Sequence, residues 1–190
     1  MLRSPRRGNQ ADTKMPTLQE RLARGDPTAF GEWYDACADR VGHYLLVRLG
    51  VREDAEDVLQ ESFLRLARSR RKLAKVENLD AYVFAVARNE AVRWAARKAK
   101  RRGRESATLS GDDLFCAAPE DVAAREAADA AATALATLTP ELRELVELKI
   151  YAGLTFGEIG LVTGLPQGTV ATRYRSALDK MRSRWSRWKT

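Results

Sequence analysis

The sequence predicts an all-α protein: two small helical domains joined by a flexible linker. Three observations carry this expectation. From Leu18 to Lys100 apolar residues recur at three- and four-residue steps, interrupted only at Gly25-Asp26, at Gly50 and over the polar stretch Arg70–Asn78. No alternating strand pattern of useful length appears in the chain. Residues 103–120 contain Gly, Ser, Pro and the acidic pair Asp112-Asp113 without periodicity, the composition of a flexible connection.

Taken in order, residues 1–16 are basic and polar and read as a disordered arm, within which Met15 offers a second start. Helices are expected over Thr17–Arg24, Pro27–Leu49, Arg52–Ser69 and Leu79–Lys100, which makes residues 17–102 the first domain. After the linker an alanine-rich helix, Asp121–Leu138, leads into a helix-turn-helix, and residues 121–190 form the second domain. Thr155 and Glu158 have capping-box spacing, Gly164 suits a left-handed helix end, and Pro166 suits the first turn of the next helix. That next helix has two faces. Val170, Tyr174, Ala177, Leu178, Met181, Trp185 and Trp188 form an inner stripe, whereas Gly168, Ala171, Thr172, Arg175 and Arg182 lie opposite, free to enter a major groove. An ordinary amphipathic hairpin would share this punctuation.

Charge distribution points to a polyanionic partner. The 190 residues carry a net +7, and the sequence pI is about 9.7. Residues 85–104 hold eight Lys/Arg against one acid and residues 173–189 seven against one, while residues 105–147 hold ten acids against two Arg. Two cysteines, Cys37 and Cys116, and one histidine, His43, make neither a disulfide framework nor a zinc site of those residue types; both cysteines read as packing residues. No phosphate-binding glycine loop, metal spacing or nucleophile–base pair suggests an enzyme or a cofactor. No apolar run approaches membrane-spanning length, so no membrane insertion is expected and the cytoplasm is the default compartment.

Two further stretches are informative. In Arg52–Arg68 the stripe Ala55, Val58, Leu59, Ser62, Phe63, Leu66 and Ala67 fills a core-facing side, which leaves Leu64 outside among Asp57, Gln60, Glu61, Arg65 and Arg68. An exposed leucine ringed by charge is either incidental or the apolar anchor of a protein-docking face. In Asn78–Arg102, Tyr82, Phe84 and Trp94 are interleaved with a dense basic end, a combination suited to melted DNA unless the aromatics are core. Asn89 and Arg93, one turn apart, make a better exposed readout pair. Arg97, Lys98, Lys100, Arg101 and Arg102 are too closely spaced all to read bases and are assigned to phosphates.

In this order, the stretches resemble a bacterial RNA polymerase sigma factor of the small, extracytoplasmic-function type over about residues 18–185. Asp54-Ala-Glu-Asp-Val-Leu-Gln-Glu-Ser-Phe-Leu-Arg-Leu66 resembles the polymerase-binding helix of region two, Ala81-Tyr-Val-Phe-Ala-Val-Ala-Arg-Asn-Glu-Ala91 the helix that meets the minus-ten element, and Gly168-Thr-Val-Ala-Thr-Arg173 the start of the minus-thirty-five recognition helix of region four. The resemblance implies an accessory subunit, not an enzyme, whose partners are core RNA polymerase, promoter DNA and an anti-sigma factor. Asp57, Gln60, Glu61, Leu64 and Arg65 would bind polymerase. Asn89, Arg93, Arg97, Lys98, Lys100 and Arg101 would meet the minus-ten region, with the loop Arg70–Asp80 holding a flipped base. Gln167, Thr169, Thr172, Arg173, Arg175 and Ser176 would meet the minus-thirty-five element. Family members commonly have a tryptophan at Tyr82, an acidic or amide residue near Arg93, a basic residue at Ala171, an arginine at Ser176 and an alanine at Gly160, so the promoter code does not carry over from relatives. A self-sufficient helix-turn-helix regulator would account for residues 121–190 equally well.

Overall fold

The computed structural model describes residues 15–102 and 131–186. The expected arm up to residue 14, the linker and the first part of the alanine-rich helix lie outside the described residues, as do Cys116, Trp188 and the side chain of Trp185. All regular structure among the described residues is helical.

Local chemistry sets the boundaries of the first unit. Helix α1 (Leu18–Arg24) opens on a capping box between Thr17 and Glu20 and stops at Gly25, whose φ of 81° is the left-handed conformation that favours glycine. Asp26 then caps α2 (Pro27–Leu49) through the amides of Thr28 and Ala29, with Pro27 preset at its first position. Helix α3 (Arg52–Arg68) lacks a side-chain cap, but Glu53 and Asp54 in its first turn face the positive end of the helix dipole. The polar stretch after it is more ordered than the sequence suggests. A 3-10 turn forms over Arg70–Lys75, because Leu73 is drawn fully into the core beside Leu22 of α1. Asn78 accepts from the Ala81 amide at 2.7 Å and so caps α4 (Leu79–Arg102).

Helices α2, α3 and α4 pack around Trp33, Val41, Tyr44, Leu45, Val58, Leu66, Val83, Phe84 and Ala87. Each large apolar side chain fully removed from water contributes about 1.5–3 kcal/mol. The stripe expected for α3 is the one that is buried: Ala55, Val58, Ser62 and Leu66 are inside, and the Ser62 hydroxyl donates to the Val58 carbonyl at 2.6 Å. Cys37 is a packing residue, and burial pushes its thiol up to about 12.

In the second unit, α5 is described over residues 131–136 and is followed by α6 (Pro140–Ile150), α7 (Phe156–Thr163) and α8 (Gln167–Ser186). The Thr155–Glu158 capping box and the left-handed Gly164, at φ 75°, are present. Pro166 opens the first turn of the last helix, as expected. It precedes α8 and its carbonyl accepts from the Val170 amide. Leu135, Leu138, Val146 and Ala177 form a small core with Tyr174 and Met181 along its edge. Gly160 faces the turn so closely that a Cβ there would lie 2.7 Å from the Leu165 carbonyl oxygen.

The two units share an apolar core. Leu145, Leu148, Leu154 and Ile159 of the second unit join the cluster that contains Tyr44 and Phe84. Around this seam Arg48 of α2 reaches Glu144 at 2.7 Å and Glu147 at 2.9 Å, while Arg88 of α4 grips Glu144 with two bonds of 2.9 Å. Arg40 donates twice to the Ala152 carbonyl, and Asn78 donates to Glu158 at 3.0 Å. Glu147 is only 2% exposed, and burial raises its carboxyl above the usual range despite the opposing pull of Arg48.

Two outcomes are expected. Helix propensity alone favours Gly160→Ala by about 1 kcal/mol. The backbone oxygen in the way makes the change destabilising instead, by roughly 1–3 kcal/mol, and a melting temperature that rises would refute the close approach. Because Glu147 holds its proton more tightly folded than unfolded, its contribution to stability falls as pH rises from its unfolded value through its folded one. The stability difference between the native chain and Glu147→Gln should therefore shift in favour of the variant as pH rises, measured by urea unfolding from pH 4.5 to 7; a flat difference would count against the raised value.

Candidate nucleic-acid and protein-docking faces

The outer side of α3 carries the first face. Leu64 is 43% exposed, off the buried stripe, with Asp57 and Gln60 exposed and Glu61 half-buried nearby on the helix. Arg65 belongs to this face by sequence, yet its guanidinium also reaches across to the carboxylate of Glu90 on α4. Tyr34 of α2, itself 43% exposed, stacks edge-on against Phe63 at 4.7 Å and so continues the surface toward α2.

Helix α4 divides its residues by face. Val83, Phe84 and Ala87 are fully buried, so Phe84 is core and takes no part in stacking on bases; Tyr44 meets its ring edge-on at 5.8 Å. Tyr82 and Trp94 are half-buried against the core, and the Trp94 indole donates to the Asp54 carbonyl at 3.2 Å. Asn89 and Arg93 are exposed, as the readout pair requires, but Arg93 also donates to Glu90 at 2.6 Å. Lys98 is drawn to Asp54 and lies over the Trp94 ring at 5.2 Å. Of the cations expected to meet phosphates, Arg97, Lys100 and Arg101 are exposed and carry no ion pair among the described residues. The Arg102 side chain lies outside the described residues.

Glu90 is the residue that the sequence reading missed. It is 1% exposed and one of its oxygens holds both Arg65 and Arg93, linking α3 to α4. A signal existed: it is the single acid within residues 85–104. Asp57, Glu61, Glu90, Trp94, Arg97 and Arg101 line a groove of about 160 Å³ between the two helices, so acids of α3 and cations of α4 border one depression.

The third face is on α8. Val170 and Ala177 are buried, Tyr174, Leu178 and Met181 are half-buried, and Gln167, Thr172, Arg173, Arg175 and Ser176 are exposed. Thr169 is half-buried. The Thr172 hydroxyl donates to the Gly168 carbonyl at 2.9 Å, which leaves its lone pairs as acceptors, and nothing lies within 4 Å of where a Cβ on Gly168 would stand. This is the polar, open face that a major-groove helix needs. Among the described residues no cluster of His, Cys, Asp and Glu suits a metal ion, and no helix is long and apolar enough to cross a membrane.

The chain is similar to known proteins over both units. Residues 33–102 match the family "Sigma-70 region 2", and residues 134–183 match "Sigma-70, region 4". It is 30% identical over 167 residues to the ECF RNA polymerase sigma factor BldN of Streptomyces coelicolor, covering 86% of this chain and 63% of that relative, just under two thirds of its length. It is 33% identical to the RNA polymerase sigma factor CarQ of Myxococcus xanthus, over 86% of this chain and 92% of the relative. Among solved structures, CnrH in complex with the cytosolic domain of CnrY covers 89% of this chain and 95% of its own, at TM-score 0.64 and 20% identity. The sigma factor RpoE of Bartonella quintana, in complex with the anti-sigma factor NepR, covers 81% and 94% at TM-score 0.63 and 20% identity; both share the fold. The chain thus belongs to the RNA polymerase sigma factors of the extracytoplasmic-function type, carrying sigma-70 regions 2 and 4 on its two helical units.

Proposed function

We propose that the chain initiates transcription by docking on core RNA polymerase through the outer face of α3, reading and helping to open the minus-ten region with α4, and reading the minus-thirty-five element with α8. The observation that carries this reading is Leu64. It stands exposed beside acids on a protein of net positive charge, a surface suited to a basic protein partner and unsuited to phosphate. Asn89 with Arg93, and Thr172 with Arg175, supply groups that exchange hydrogen bonds with base edges; Arg97, Lys100 and Arg101 supply charge for the backbone. Lys98, held by Asp54, contributes less until that pair opens. In this reading the chain is a non-enzymatic subunit that acts with RNA polymerase in the cytoplasm. An anti-sigma factor is a further partner, by extension from the complex of RpoE with NepR.

The shared core adds a step. By their names the two promoter elements lie roughly 25 base pairs apart, about 85 Å at 3.4 Å per pair. A compact chain of this length has a radius of gyration of about 16 Å. Reading both elements at once therefore requires the seam between α2/α4 and α6/α7 to part, with polymerase binding as the source of the free energy. The rival reading, a self-sufficient regulator, leaves the α3 face and the Glu90 link without a role.

Two measurements test the assignment of faces. Leu64→Arg should weaken binding to core polymerase by about 2 kcal/mol or more, roughly thirty-fold, with Leu64→Ala milder and the melting temperature of both unchanged; loss of folding would mean that Leu64 is core. Arg175→Ala should relax preference at one or two base pairs of the minus-thirty-five element by roughly 1–3 kcal/mol in a promoter-library selection. An unaltered upstream motif would remove α8's Arg175 from the reading face.

A further inference from the structure

Glu90 is an acid in a position built for an apolar side chain. Helical spacing places it with Val83, Phe84, Ala87, Ala91 and Trp94 on the side of α4 turned to the core, and the residues at 83, 84, 87 and 91 are all buried. The acid itself is 1% exposed. A leucine there would need no partner; a buried carboxylate needs one. Glu90 has two, and both reach the same atom. Its Oε1 accepts from the Nε of Arg65 on α3 and from the Nη1 of Arg93 on its own helix, the latter at 2.6 Å, while Oε2 has no hydrogen-bond partner among the described residues.

The two guanidinium groups meet this oxygen differently. Arg65 gives its Nε, the nitrogen nearest its own stem, so the group is turned in toward α4. Arg93 gives one terminal nitrogen, and its Nε and Nη2 carry no hydrogen bond among the described residues. Half of the Arg93 side chain is exposed. Pinned at one corner, the group keeps Nε and Nη2 as a pair of parallel donors, the geometry that reads a guanine edge. Stability is a poor explanation for the cluster, since replacing buried ion pairs with apolar side chains of similar volume is often neutral or stabilising. What the cluster supplies is a position. A free arginine loses much rotamer freedom when it binds, and one already held at a corner loses less. Arg65 is what lets the acid do this from inside. Without it, Arg93 would be the sole counter-charge of a buried carboxylate and would be drawn down onto both oxygens, away from the surface.

We propose that Glu90 and Arg65 are positioning residues for Arg93 and that, acting through it, they set a base preference in the minus-ten region. Arg65, which resemblance places on the polymerase-docking face, is thereby reassigned to the support of α4. This rests on the sigma-factor reading above, with Arg93 as one of its readers.

The test uses holoenzyme assembled from the full chain and core polymerase, with a promoter library randomised across the minus-ten region. Preference is scored as a ratio among bound promoters, which does not depend on how much holoenzyme forms. Arg93→Ala identifies the base pair that Arg93 reads, by a loss of preference of about fivefold or more. Glu90→Leu and Arg65→Gln should each relax preference at that same base pair by about threefold. Arg65→Lys should keep it, because one charged contact to Glu90 is enough. Adding Glu90→Leu or Arg65→Gln to Arg93→Ala should cause no further loss there, since all three act through one group. Melting temperatures taken in parallel separate support of Arg93 from support of the fold: a merely structural role lowers the melting temperature and leaves the preference native. Native preference in Glu90→Leu or in Arg65→Gln overturns the proposal, and so does relaxation at a different base pair. Weakened core binding in Arg65→Gln with native preference would make Arg65 a polymerase contact instead. If Arg65→Gln does not fold, Glu90→Leu still decides, because it removes the acid together with the need for Arg65. An Arg93→Ala variant with every base preference intact removes Arg93 from the readers, and the proposal goes with it. If the native chain fails to bind core polymerase at all, it is the sigma-factor reading that fails.

Discussion

Two carboxylates, Glu144 and Glu147, are buried on α6, and the arrangement of the whole molecule follows from what they need. An ionised group removed from water must be paired, at a cost of several kcal/mol otherwise. Arg48 on α2 and Arg88 on α4 meet that need, and neither lies in the same helical unit as the acids. The apolar seam of Leu145, Leu148, Leu154 and Ile159 joins the core of those same helices. Burial without the arginines would strand charge; the arginines without burial would be an ordinary surface pair worth little.

Helix α4 is where this constraint meets function. One face supplies Phe84 and Ala87 to the core, the next sends Arg88 across the seam, the next buries Glu90 to hold Arg65 and Arg93, and the last leaves Asn89 and Arg93 at the surface. Of the two residues proposed for readout, Arg93 is held in place by the buried Glu90. Positioning of this kind lowers the ordering cost when a base edge is met. It also partitions charge: Arg65, Arg88, Arg93 and Lys98 are held by carboxylates, whereas Arg97, Lys100 and Arg101 carry no ion pair among the described residues.

Much of the fold was legible because it is written in local chemistry. The capping box at Thr155, the left-handed glycine at 164, the breaks at Gly25 and Gly50, and the apolar stripe of α3 each act within a few residues, so reading them needs no knowledge of the partner helix. The exposure of Leu64 followed by elimination, since the stripe had no room for it. Arg70–Lys75 became a turn for a less local reason, Leu73 meeting α1.

What the sequence determined by itself is therefore the list of helices, their inner faces and the order of three functional stretches, all governed by periodicity and short-range capping. Only the tertiary structure decided which charges remain free. Glu90 and Arg65 are 25 positions apart, Arg88 and Glu144 are 56 apart, and Asp54 and Lys98 are 44 apart. A charge's availability to DNA depends on whether an opposite charge comes within a few ångströms, and no one-dimensional pattern encodes that distance.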